Sequence, residues 1–239
     1  MFCRSFHCLP EQVITSGYPR NDFLFQETDI LERFGINSYS YKKMIVYMPT
    51  FRNPKGGGYK DSTDIVQSCI DLSDSELIGN LSKLLISHNV LLVIKWHPAD
   101  SRQDNVVTAP NILFLSNNTF SSLDLQVYHL LHYADALITD YSSVFCDYMI
   151  LDRPIAFDIF DIKSYADNRG FVFDNPVDYM PGYILRTNED LYSFIVDVSK
   201  GEDKSKEKRH HLYNKYNDFK DANSSKRLLA KLIDNNKVS

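Results

Sequence analysis

The chain has 239 residues, 44% of them hydrophobic and 24% charged, with a net charge of −5. That length and balance describe a folded chain with ample core, not a disordered one, and the negative charge argues against a general binder of nucleic acid or acidic membranes. No apolar run approaches the roughly 18 residues of a membrane span, no signal peptide is recognisable, and the four cysteines (Cys3, Cys8, Cys69, Cys146) lack Cys-x-x-Cys spacing and read as free thiols of a reducing compartment.

The first dozen residues are apolar but too few to form a domain. Val13–Ser16 is predicted as a strand, residues 17–22 as a turn, and residues 23–34 as a helix closed by Gly35. Met44–Met48 is a strand stopped by Pro49, which leaves Thr50 and Arg52 just past its C-terminal end. Residues 53–63, with Gly56–Gly58, read as a loop; they lack the Gly-x-x-x-x-Gly-Lys-Ser/Thr pattern of a P-loop. Ser73 and Glu76 form a capping-box pattern for a helix reaching Ser87, with Leu77, Leu81, Leu84 and Leu85 on one face. Val90–Ile94 is a wholly apolar strand ending in Lys95-Trp96-His97-Pro98. Ile112–Leu115 is another, and residues 124–133 are helical.

The stretch from Ala134 to Pro154 organises the rest. An apolar run over Ala136–Thr139 breaks into Asp140-Tyr141-Ser142-Ser143. Helical spacing follows at Val144, Phe145, Tyr148 and Leu151, and Pro154 introduces a strand over Ile155–Phe157. Asp140 suits an N-cap. A helix start carrying two hydroxyls is also a ready anion site, although plain capping is the commoner use of such residues. Residues 158–182, with Arg169-Gly170 among them, show no assignable pattern. Asn188 caps a helix through Val198, and charged helices over residues 204–216 and 224–233 finish the chain. Acids interleaved in residues 200–209 make that segment a solvated helix.

Apolar strands alternating with amphipathic helices imply an α/β chain with a parallel sheet covered on both faces. Such sheets bind ligands at the C-terminal ends of their strands. Three of those ends carry polar groups: Thr50 and Arg52; Lys95 and His97; Asp140, Ser142 and Ser143. Together they describe a site for a phosphate or pyrophosphate. His97 can donate to a phosphate oxygen or move a proton, though standing alone it is a turn histidine before proline. Asp147, on the same helical face as Ser143, reads first as a hydrogen bond back to the turn and second as a ribose or base contact. His129, His132, His210 and His211 read as packing or surface residues, without metal spacing. Ser142 and Ser143 lack the Gly-x-Ser-x-Gly elbow of a hydrolase.

The segments Gly17-Tyr18-Pro19-Arg20-Asn21-Asp22, Met48-Pro49-Thr50-Phe51-Arg52, Lys95-Trp96-His97-Pro98 and Leu137-Ile138-Thr139-Asp140-Tyr141-Ser142-Ser143 resemble, in order, the signatures of the CDP-glycerol glycerophosphotransferases. So do Phe145-x-Asp147-Tyr148, Arg153-Pro154-Ile155 and Arg169-Gly170-Phe171. The resemblance spans residues 13 to 185. It implies the C-terminal, donor-binding half of a GT-B fold: a Rossmann-like domain over residues 41–203, a remnant of the N-terminal half and linker over 1–40, and C-terminal helices over 204–239. It also implies transfer of glycerol phosphate from CDP-glycerol to a hydroxyl of a teichoic-acid or capsular polymer; the chain itself reads as cytoplasmic, at most peripheral at the inner face of the cell membrane, with no metal or other cofactor. His97 would stabilise phosphate or leaving group, residues 140–143 would hold the pyrophosphate, and Arg52, Lys95 and Arg169 would lie near. The family's Gly-His-Gly motif, whose histidine is its favoured general base, is absent from the sequence. The chain therefore reads as one half of a longer or split enzyme, inactive or weakly active alone. Two other readings stay open: a related transferase using CDP-ribitol or a nucleotide sugar, and a non-catalytic nucleotide-binding remnant or partner subunit.

Overall fold

A computed structural model describes residues 2–37, 40–50, 68–96, 107–168 and 170–236. Within them, β1 (Lys43–Met48), β2 (Val90–Lys95), β3 (Ile112–Leu115), β4 (Ala136–Thr139), β5 (Ile155–Asp158) and β6 (Tyr183–Leu185) form one parallel sheet in the order β3-β2-β1-β4-β5-β6. Successive residues feed two cores, as the two-residue period of a strand requires. Ile45, Tyr47, Leu92, Ile94 and Ile138 pack on α3 (Ser75–Ser87) and α8 (Asn188–Lys200). Met44, Val46, Leu91, Val93 and Leu137 face α5 (Val127–Tyr133) and α6 (Val144–Tyr148). Burial on both faces is why these strands read as unbroken apolar runs.

Met48 pairs with Thr139, and Thr139 with Phe157, so β1, β4 and β5 end at nearly the same level. The chain leaves β1 toward β2 on one side and β4 toward β5 on the other. The strand order therefore reverses between β1 and β4, and the crevice at the C-terminal ends of the strands at such a break is the position where open parallel sheets take ligands. The fold thus has the strand order of dinucleotide-binding sheets without their glycine signature.

Several local expectations are corrected. Residues 13–16 form no strand, and residues 23–34 form no continuous helix. A 3₁₀ segment, Pro19–Phe25, is followed after a gap by the one-turn helix α2 (Ile30–Arg33). The reason is non-local: the Tyr133 hydroxyl accepts from the Thr28 amide and donates to the Thr28 carbonyl, so neither group is left for a helical ladder. Asp74, not Ser73, caps α3, accepting from the Glu76 and Leu77 amides, while Ser73 turns back to Asp71. Thr187, one residue ahead of Asn188, caps α8. The short helices α1 (Phe2–Ser5), α4 (Asn117–Ser122) and α7 (Ile162–Asn168), together with β6, carried no clear pattern.

The C-terminal helices α9 (Lys206–Tyr216) and α10 (Ser224–Asn236) pack back on the body. Arg209, expected in solvent, is 1% exposed and bonded to Asp152 and Asp203. Asp22 takes the first amides of α10, Ser224 on one oxygen and Ser225 on the other, each at 2.9 Å. Farther along α10, Leu229, Leu232 and Ile233 are exposed. No described helix is long and apolar enough to cross a membrane.

Candidate functional site

The crevice is closed at its base by one carboxylate. Asp140, the first residue after β4, is 3% exposed and accepts both the amide (2.9 and 2.8 Å) and the hydroxyl (2.6 Å) of Thr50, the second residue after β1. The Ser142 amide also donates to it, at 3.3 Å. Asp140 is therefore a clamp across the strand break and not the expected N-cap; Ser143 occupies the cap position of α6 and makes no side-chain cap bond. The clamp needs a short side chain at each strand end, set level by the β1–β4 register.

Beyond it, Ser142 is half-buried, with its oxygen 3.4 Å from the Val144 amide, and Ser143 is exposed. Ser142 is tied to the clamp through its amide, and Ser143 follows it at the start of α6. Asp147 is not turned toward them. It is 1% exposed, and its Oδ2 accepts from Arg20 Nε (3.2 Å), Arg20 Nη2 (2.9 Å) and the Tyr128 hydroxyl (2.7 Å). Neither the hydrogen bond to the turn nor an open ribose contact describes it: Asp147 ties the 3₁₀ segment and α5 to α6. Burial first, and the Asp147 charge second, hold the Tyr128 proton in place.

Lys95 lies at the expected sheet edge, but its ammonium is held by the Trp96 carbonyl at 2.7 Å and by Asn117 Oδ1, with the Phe120 ring 5.7 Å away. Burial lowers its pKa. The structure thus joins Thr50, Asp140 and Ser142, with Ser143 adjacent in sequence, and leaves Lys95 and Asp147 bonded elsewhere. Arg52, His97 and Arg169 lie outside the described residues. Among the described residues, no group of three or more His, Cys, Asp or Glu is placed to hold a metal ion.

One residue escaped the sequence reading. Asp158 is the last residue of β5, much as Asp140 directly follows β4, and is 4% exposed. It accepts from the Tyr47 hydroxyl (2.9 Å), the Ser68 hydroxyl (2.8 Å) and the Cys69 amide (3.2 Å), and burial raises its pKa. The signal was present in the sequence: both carboxylates directly follow an apolar run.

A family model for CDP-Glycerol:Poly(glycerophosphate) glycerophosphotransferase matches residues 1–234. The chain belongs to this family. It is 32% identical over 241 residues to a teichoic acid poly(glycerol phosphate) polymerase of Bacillus spizizenii, covering 96% of the chain and 55% of that protein. It is 27% identical over 238 residues to the teichoic acid ribitol-phosphate polymerase TarK of Staphylococcus aureus, covering 97% and 42%. Among solved structures, the wall teichoic acid polymerase TagF superposes with a TM-score of 0.67 at 27% identity, over 98% of this chain and 55% of that one. A variant of TagF has also been solved after soaking with CDPG. The chain spans about half the length of these relatives. Its parallel sheet is a Rossmann-like half of the GT-B type, as the sequence implied.

Proposed function

We propose that the glycerophosphotransferase to which this chain belongs moves glycerol phosphate from CDP-glycerol to a hydroxyl of a teichoic-acid-like or capsular polymer, releasing CMP, and that this chain is its donor-binding half. The observation that carries this reading is the Thr50–Asp140 clamp at the sheet's strand break, with the Ser142 amide donating to the same carboxylate. Ser142 and Ser143 donate to the diphosphate. His97 and Arg52 follow strand ends on the same sheet edge, where they offset charge on the transferring group and on departing CMP. Arg169 and Lys95 belong to the same proposed set; Lys95 would have to exchange Asn117 for phosphate.

The acceptor oxygen attacks the glycerol-bearing phosphorus in line. A new P–O bond forms as the bond to the bridging oxygen breaks, CMP leaves with that electron pair, and the hydroxyl proton passes to water or to the CMP phosphate. Such a reaction asks the protein mainly for positioning and charge stabilisation. Transfer also needs groups from the other half of the fold. The acceptor is polymer or lipid-linked, and the complete enzyme works peripherally at the inner face of the cell membrane. The similarity to a ribitol-phosphate polymerase supports one second reading, in which the donor is CDP-ribitol.

Calorimetric titration of the chain with CDP-glycerol, CDP-ribitol, CMP and UDP tests the proposal. Cytidine-selective binding is expected, weakened about tenfold or more by Ser142→Ala or His97→Ala, the scale of a lost charged hydrogen bond. UDP binding as tightly as CMP, or binding untouched by both changes, would sink it. The tighter of the two CDP-polyols names the donor.

A further inference from the structure

Beside the Asp140 loop, on the β5 side of the sheet edge, lies a cavity of about 240 Å³. Its walls are mostly rings, half of them supplied by the β5–β6 connection. Tyr141 and Tyr165 lie 4.0 Å apart between centroids, Phe171 stacks on Tyr165 at 5.1 Å, and Phe173 stacks on Tyr179 at 3.7 Å and 11°. The Tyr141 hydroxyl donates to Asp161 at 2.9 Å and the Tyr216 hydroxyl to the Tyr179 carbonyl at 2.8 Å. These bonds fix the rings before any ligand arrives, which lowers the ordering cost of binding.

Three features select the ligand. The described lining residues include no cation, and the one carboxylate among them, Asp140, is bonded to Thr50. Moving a phosphate among the described rings would cost hydration, so the described walls suit a neutral occupant. The volume falls below the roughly 300–1,000 Å³ of sites for drug-sized ligands; it takes one sugar ring or one polyol unit and excludes a whole nucleotide. Aromatic faces are electron-rich, and hydrogens on oxygen-bearing carbons are positively polarised, so polyhydroxylated carbon skeletons stack on such faces.

The cavity shares Asp140 with the crevice, so its occupant is adjacent to whatever the crevice holds. We propose that this cavity receives the neutral, polyhydroxylated end of the acceptor and presents a hydroxyl to the phosphorus bound over Ser142 and Ser143. The acceptor role rests on the donor-site reading above. The preference of the cavity for polyols does not.

Saturation-transfer NMR on the full chain tests this, with methyl β-D-glucopyranoside and CMP as probes. Saturation is expected on the ring C–H protons of the glycoside, and to persist with CMP present. Tyr165→Ala and Phe171→Ala should each weaken glycoside binding roughly two- to tenfold, the worth of an aromatic stacking contact, and leave CMP binding unchanged. Tyr165→Phe, which keeps the ring, should bind like the parent, separating a lost contact from a lost fold. Displacement of the glycoside by CMP, or a glycoside signal indifferent to both ring removals, would overturn the proposal. Glycoside binding without any CMP binding would uphold the polyol cavity and overturn the donor-site reading instead.

Discussion

Thr50 and Asp140 lie 90 residues apart in sequence, yet three hydrogen-bond contacts of 2.6 to 2.9 Å join them just past the paired ends of β1 and β4. The Thr139 hydroxyl also donates to the Met48 carbonyl at 2.7 Å, so the clamp extends the pairing of the two strands beyond their last ladder residues. Thr50→Val keeps the amide bond and loses the hydroxyl bond, at about 1 kcal/mol. Asp140→Ala removes the acceptor shared by the Thr50 amide, the Thr50 hydroxyl and the Ser142 amide and should cost about 2–3 kcal/mol. Urea unfolding with an unchanged m-value checks both. Equal costs for the two changes would mean that the carboxylate is not the shared acceptor.

Asp147 is a second buried carboxylate with long-range partners, and its energetics differ because one of them, Arg20, keeps 45% of its side chain in solvent. All three donors meet at Oδ2, while Oδ1 is buried without a partner among the described residues. Arg20→Ala leaves the charge under-compensated and should cost about 1–3 kcal/mol, less than a fully enclosed pair because water reaches the guanidinium. Asp147→Asn removes the charge. In the double variant the two losses should fall short of their sum by about 0.5–2 kcal/mol. Additive losses would place the two side chains out of contact.

The parts of this fold that the sequence made legible are the ones whose cause is local. β1, β2 and β4 are buried on both faces and read as apolar runs, and their polar ends pointed to the right edge of the sheet. β6 did not show, because it is three residues long and only Leu185 is fully buried. The helix expected over residues 23–34 failed because a tyrosine 105 residues away captures the Thr28 backbone. Arg209 reads as solvated until the chain folds Asp152, 57 residues away, against it. The site divides in the same way. That Asp140 follows an apolar run is visible; that it accepts from Thr50 as well as from its own turn depends on the register of two strands.

His129 gives a pH dependence whose sign can be worked out. It is 7% exposed; its Nδ1 faces the Gln126 amide at 3.1 Å, its Nε2 faces Gln26 Oε1 at 3.3 Å, and the Phe23 ring packs edge-on at 4.7 Å. An amide donating to Nδ1 suits the neutral ring, and burial lowers the pKa. The unfolded chain therefore takes up a proton at higher pH than the folded one. The stability from this site is complete above about pH 6.5 and declines as pH falls through that value toward the lower folded pKa. His129→Gln should flatten that part of the stability–pH curve. A parent curve already flat between pH 7 and 5 would show that the imidazole is not held neutral.

Three glycines should respond to alanine in different directions. At Gly182, which opens β6, a Cβ would sit 2.2 Å from the Ile155 carbonyl oxygen and 3.0 Å from Phe157 Cε2. The obstacle is backbone, so β6 must part from β5, at about 3 kcal/mol. Gly201 caps α8 at φ +76° with nothing near its Cβ position, so alanine meets only left-handed strain, about 1 kcal/mol. Gly79 lies inside α3 with open space and ordinary helical φ, and there alanine should stabilise by about 0.5–1 kcal/mol by restricting the unfolded chain. Thermal unfolding of the three variants checks the order Gly79→Ala above parent, parent above Gly201→Ala, and Gly182→Ala lowest. Because Met180 lines the aromatic cavity two residues before Gly182, the Gly182 variant should also lose glycoside binding, whereas the other two keep it. A Gly182→Ala protein as stable as the parent would mean that β6 does not approach β5 this closely.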